Sequence, residues 1–222
     1  MRRFAALRQS ADYPAPYTVV QETTERRSMG QRLSFRQYRA IDLAFFAFIL
    51  CVAETLIIKG ATIWYADQLY VVSAVGIVTT IVLIRWGAWA AVHAFLGGFV
   101  FCLASHASPQ QYLIYCVGNL GSMLSLIWIR IFGKDRIAGS GFAAVSFGLG
   151  TLLCMQLGRA LVAAALGTPL RQCPGFFTTD SLSLLFTGVV IWIARRLDGV
   201  FEDQKKYLLR VHEEEKKEKG GF

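Results

Sequence analysis

Long apolar stretches with almost no charge, separated by short loops where Lys and Arg gather on alternate sides, constrain this chain more than any other feature. A bilayer selects that pattern and water does not. A spanning helix needs about 20 mostly apolar residues, whereas a soluble domain shows amphipathic periodicity and charge throughout. The 222 residues are 55% hydrophobic and 17% charged, against about 25% charged in a typical soluble domain. The charges also crowd toward the two ends. A formal net charge of +8 would suggest nucleic acid as the partner of a soluble protein. Beside apolar segments, basic residues instead orient helices and meet anionic headgroups, so no nucleic acid is expected.

The expected fold is an all-α membrane protein, a bundle of six transmembrane helices. Residues 1–39 form a basic cytoplasmic arm broken by Pro14, Pro16 and Gly30, and the lack of an apolar run near the start argues against a signal peptide. The spans are expected at about 40–58, 69–84, 86–104, 112–129, 139–166 and 176–194, within a membrane domain covering 40–198. The second and third meet in a tight hairpin. Residues 199–222 read as a charged cytoplasmic tail with Glu/Lys pairs at helical spacing. Arg26, Arg27, Arg32, Arg36 and Arg39, then Arg85, then Arg130, Lys134 and Arg136, then Arg195, Arg196, Lys205 and Lys206 all fall on one side. The other side carries Lys59 and Arg171. Since positive charge stays in the cytoplasm, both termini are expected inside.

Ionisable residues within spans cost about 2.5–3.5 kcal/mol near a helix centre and mark function by default. Glu54, Lys59, Arg159 and Asp180 would share the outer third of the bilayer, with Gln156 about one turn before Arg159. Their convergence suggests a polar pocket open to the outside; a structural ion pair, or side chains snorkelling to the interface, would explain the same residues. In the first outer loop, Trp64, Tyr65, Asp67 and Tyr70 read either as an aromatic belt or as a lid stacking on a planar ligand. Asn119 could offer an amide to the same cavity. His93 fits a hydrogen-bonded core histidine or a ligand contact. Cys51, Cys102, Cys116, Cys154 and Cys173 have no paired spacing and no Cys/His cluster, so neither a metal site nor a disulfide framework is expected. With no P-loop, HExxH or GxSxG motif, no enzymatic activity and no cofactor are expected either. Small residues, among them Ala90, Ala94 and Gly98, then Gly118, Gly121 and Ser122, then Gly148, Ala160 and Ala164, point to close helix packing.

Two stretches carry a family resemblance. The first span opens YRAIDLAFFAF, with Ala40 and Ala44 four residues apart, and the third begins IRWGAWAAVHAFLGGFVFCLAS. Over residues 36–198 the chain resembles the S components, the substrate-binding membrane subunits of energy-coupling factor transporters of prokaryotes. That resemblance implies capture of a vitamin or similar small molecule outside the cell membrane. It also implies a transmembrane coupling subunit docked at Ala40 and Ala44, and two separate ATP-binding subunits. Glu54, Lys59 and Arg159 would supply charge complementarity to the ligand, Asn119 an amide, and Trp64 and Tyr65 stacking and gating. The competing expectation is a structural or assembly protein of the cell envelope, with a solid bundle and no ligand pocket.

Overall fold

The computed structural model describes residues 34–64 and 72–220. Most of the basic arm, along with Tyr65, Asp67 and Tyr70, lies outside the described residues, and so does the side chain of Trp64. The chain divides into Met1–Ala40 and Ile41–Phe222. In the first unit, Ser34 and Gln37 open a helix with reciprocal bonds. The Ser34 N–H donates to Gln37 Oε1 at 2.9 Å, and the Gln37 N–H donates to Ser34 Oγ at 3.3 Å. This capping box satisfies amides that the helix itself leaves unpaired. The helix, α1, continues as Phe35–Trp64, longer at both ends than the apolar run alone suggests.

Among its described residues the second unit has helices and turns and no strands. It contains α2 (Val75–Trp86), α3 (Ala90–Ala104), α4 (Pro109–Gly118), α5 (Ser125–Phe132), α6 (Lys134–Gly139), α7 (Gly141–Ala165), α8 (Gly175–Thr178), α9 (Ser181–Ala194) and α10 (Gln204–Gly220), with 3₁₀ turns at Gly87–Trp89, Asn119–Leu124 and Leu170–Gln172. Five segments are long and apolar enough to cross a bilayer: Phe35–Ile63, Val75–Ala104, Pro109–Phe132, Gly141–Ala165 and Leu170–Ala194.

The second of these segments is not a single rod. Gly87 has φ +63° and ψ −125°, a conformation that only glycine adopts without strain, and the chain reverses there. A Cβ placed on Gly97 would lie 2.5 Å from the Val75 side chain. The start of α2 therefore packs against the middle of α3 in an antiparallel hairpin. At about 1.5 Å per residue, α2 rises about 18 Å, short of the ~30 Å hydrocarbon core. Every residue from Val75 to Arg85 is buried, as expected of a helix that is apolar all round and surrounded by protein. Leu83, Ile84, Leu50, Phe147, Leu152, Met155 and Ile191 meet in the same core.

Elsewhere the helices meet antiparallel through small residues. A Cβ on Gly98 would sit 2.6 Å from the Tyr115 carbonyl oxygen, and one on Gly121 2.5 Å from that of Cys154. A Cβ on Gly158 would collide with the Gly118 carbonyl. Only glycines allow backbones this close. At the same crossing α4 gives way to the 3₁₀ turn Asn119–Leu124, a local tightening that is uncommon beyond three or four residues.

The opposite end of the bundle is tied by charge. Asp42 takes a two-pronged bond from Arg85, at 2.9 and 2.6 Å, and a third from Trp86 Nε1 at 2.5 Å. Arg85 also donates to the carbonyls of Gly199 and Val200. Lys134 pairs with Asp203 at 2.6 Å, Lys206 with Asp135, and Arg210 with Glu202 and Asp198. These contacts fix the base of α10. The partial burial of Asp203 would by itself raise its pKa. The Lys134 ammonium and the Lys205 and Lys206 amides outweigh that and hold the carboxyl below its usual value.

Candidate functional site

Three helix starts or turns converge on one buried polar cluster. Glu54, on α1, is fully buried. Its carboxylate accepts the Ala74 N–H at 2.8 Å and the Ser73 hydroxyl at 2.9 Å. The first amides of a helix have no partner within it, and here, inside the bundle, α1 supplies the missing acceptor for the start of α2. A carboxylate at that position also meets the positive end of the helix dipole. The Ser73 N–H donates to Ser183 Oγ at 3.0 Å, and Ser183 in turn donates to Asp180. Asp180 stands at the start of α9 and is 6% exposed.

Arg159, on α7, completes the cluster. Its Nη1 reaches Asp180 at 3.0 Å and its Nε reaches Asn119 Oδ1 at 2.7 Å. Its guanidinium carbon stands 4.9 Å from the Tyr115 ring centre, a cation–π arrangement that gains strength away from water. Asn119 in turn donates to the Ala94 carbonyl at 3.0 Å. Gln156 donates to Asp180 at 3.2 Å, while its Oε1 is buried without a hydrogen-bond partner. The backbone of α7 can approach Asn119 because Gly118 offers no Cβ, which would lie 2.6 Å from Arg159 Cα.

Two acidic side chains, Glu54 and Asp180, thus share the cluster with one guanidinium. Beside it lies a cavity of about 30 Å³, lined by Tyr115, Asn119, Arg159, Asp180, Phe101 and Phe176 among others. That is room for a single water; small-molecule pockets run about 300–1,000 Å³. Phe176 and Thr179, from α8 and the residue after it, form part of the wall.

Of the residues singled out in the sequence, the structure brings Glu54, Asn119, Arg159, Asp180 and Gln156 together. Lys59 is exposed and takes no part in the cluster's hydrogen bonds, which corrects its expected place beside Glu54. A long cation five residues past Glu54 falls on a different face of α1. Ala40 and Ala44 are exposed, and Ala44 shares an uncovered apolar face with Ile41, Phe45, Phe48, Val52 and Leu56. His93 is buried and bonds the Leu43 carbonyl at 2.9 Å, on the hydrogen-bonded side of its two readings. Ser73, Ser183 and Tyr115 were not singled out in the sequence. Serine inside an apolar run carries little signal of its own, and only the antiparallel pairing of α1, α2 and α9 sets these hydroxyls between carboxylates. Among the described residues, no group of three or more His, Cys, Asp or Glu side chains could hold a metal.

No family model, curated protein or solved structure matches the chain.

Proposed function

We propose that this chain is a substrate-binding membrane subunit of the energy-coupling factor type, which captures a small polar or charged molecule at the Arg159 end of the bundle for import driven by separate ATP-binding partners. The observation that carries this reading is the cation buried beside a cavity with aromatic walls. Arg159 faces Asp180, Asn119 and the Tyr115 ring, a set suited to orienting a planar or anionic group. In this reading the α2–α3 hairpin crosses the membrane twice, which makes six crossings with both termini in the cytoplasm of a prokaryote. The coupling subunit covers the apolar face around Ala44. The ~30 Å³ cavity is then the closed, empty form, and capture requires α8 and its flanks to withdraw, carrying Phe176 and Thr179 outward.

A second reading, a structural or assembly protein of the cell envelope, draws on two specific observations. The cavity is about a tenth of ligand size, and Glu54 already serves as the missing cap of α2. Native mass spectrometry of the protein in mild detergent separates the two. A bound molecule below ~1 kDa in the wild type, absent from Arg159→Gln at equal folded yield, supports capture. A wild-type mass equal to that of the bare chain, with the same envelope proteins co-purifying with wild type and variant, overturns capture in favour of the scaffold.

A further inference from the structure

On the outside of the bundle, α7 and α9 leave an open groove of about 630 Å³ lined almost entirely by apolar side chains, among them Val145, Leu149, Leu184, Leu185, Gly188 and Trp192. Gly188 keeps it open: a Cβ there would stand 3.7 Å from Val145 and 3.9 Å from Leu149, and nothing else comes within 4 Å. The groove ends at a cation. The guanidinium carbon of Arg196 lies 5.3 Å from the centre of the Trp192 ring, which lines the groove. The preceding Arg195 donates to the Ala138 and Gly139 carbonyls, neutral groups that leave its charge unbalanced. The acidic side chains nearby bond other cations: Asp135 pairs with Lys206, Asp203 with Lys134, and Asp198 and Glu202 share Arg210. Among the described residues, no carboxylate pairs with Arg195 or Arg196.

We propose that this groove is a site for an anionic phospholipid, with an acyl chain lying between α7 and α9 and the phosphate meeting Arg196 above Trp192. Charge complementarity selects this occupant. A neutral partner helix would fill the apolar groove but leave Arg196 without an anion at its end, and a zwitterionic lipid would offset the phosphate with its own cation. A Trp at the boundary of an apolar surface suits headgroup depth, and basic pockets between helices on the cytoplasmic side are suited to anionic headgroups. The site is independent of the Arg159 cluster and of the solute proposed for it.

The test uses the full chain in mild detergent, titrated with phosphatidylglycerol or with phosphatidylcholine of identical acyl chains and followed by native mass spectrometry. An added arm titrates inorganic phosphate alone. The wild type is expected to retain phosphatidylglycerol about fivefold better, the scale of one basic contact at a membrane surface. Arg196→Gln, an exposed change, is expected to bring the two lipids to equal retention. Gly188→Phe, which fills the groove, is expected to lower retention of both. Equal retention by the wild type overturns the proposal, as does a preference unchanged in Arg196→Gln. Retention of phosphate alone at lipid-like occupancy would assign the arginines to a free anion and likewise overturn it. If Gly188→Phe does not fold, Arg196→Gln decides the question.

Discussion

The Arg159–Asp180 pair offers the sharpest test of the cluster's electrostatics. Consider Asp180→Ala, Arg159→Met and the double variant. Removing one partner of a buried ion pair costs about 3–5 kcal/mol, because the remaining charge stays buried without its counterion. The loss is not symmetric here. Asp180→Ala leaves Arg159 with Asn119 at 2.7 Å, the Tyr115 ring at 4.9 Å and the second carboxylate of the cluster, Glu54. Arg159→Met leaves Asp180 buried without its cation, linked to Glu54 through Ser73 and Ser183. Asp180→Ala should therefore cost about 2–3 kcal/mol, and Arg159→Met the full ~3–5 kcal/mol. The double variant replaces both members of the pair with apolar groups and leaves neither charge unpaired, so it should be less destabilised than Arg159→Met alone. Reversible unfolding in mixed detergent micelles measures all four proteins, and the cycle isolates the coupling. Costs that simply add in the double variant, or an Arg159→Met protein within about 0.5 kcal/mol of wild type, would refute the reasoning, because interhelical hydrogen bonds in membranes average only about 0.6 kcal/mol without it.

Three further outcomes are expected. Gly158→Ala drives a methyl into the Gly118 carbonyl, which is held by its own helix; a loss of roughly 1–3 kcal/mol in the same assay is expected, and none would mean the two backbones do not cross there. Asp203, whose folded pKa lies below its ordinary value, binds protons less readily when α10 is docked. Its contribution is therefore complete above the unfolded carboxylate pKa of about 3.9 and fades as pH falls through the lower folded value. Hydrogen exchange in the first turns of α10 should rise over that acid window and lose much of its dependence in Lys134→Met. Topology reporters fused at each terminus and inserted after Gly87 should all read cytoplasmic if the hairpin crosses twice. A Gly87 reporter on the side opposite the two termini would make the hairpin re-entrant, with no crossing of its own.

The all-helical class and the long apolar segments were legible because they need only composition and run length. So was the tight turn after Arg85, because that arginine ends one apolar stretch and the next begins almost at once. Segment ends were read less well. Window averages miss that α2 begins at Val75, where a carboxylate from another helix substitutes for a cap. Depth along the chain correctly grouped Glu54, Arg159 and Asp180, since antiparallel spans place residues at similar distances from their ends side by side. Depth says nothing about azimuth, and for that reason Lys59 was grouped with them although it faces away. Nor does it say whether polar groups surround an opening or satisfy one another, which here depends on angstrom-scale approaches between Gly98, Gly118, Gly158 and their neighbours.

The bonds from Arg85 to the Gly199 and Val200 carbonyls join positions 114 and 115 residues apart. During synthesis at about 5–20 residues per second, Asp42 and Arg85 would wait on the order of 6–20 s before the segment that completes their corner emerges. Until then the Arg85 guanidinium is only half satisfied. A truncation after Leu197 is expected to leave the Asp42–Arg85 corner open, so its damage falls far from the break itself.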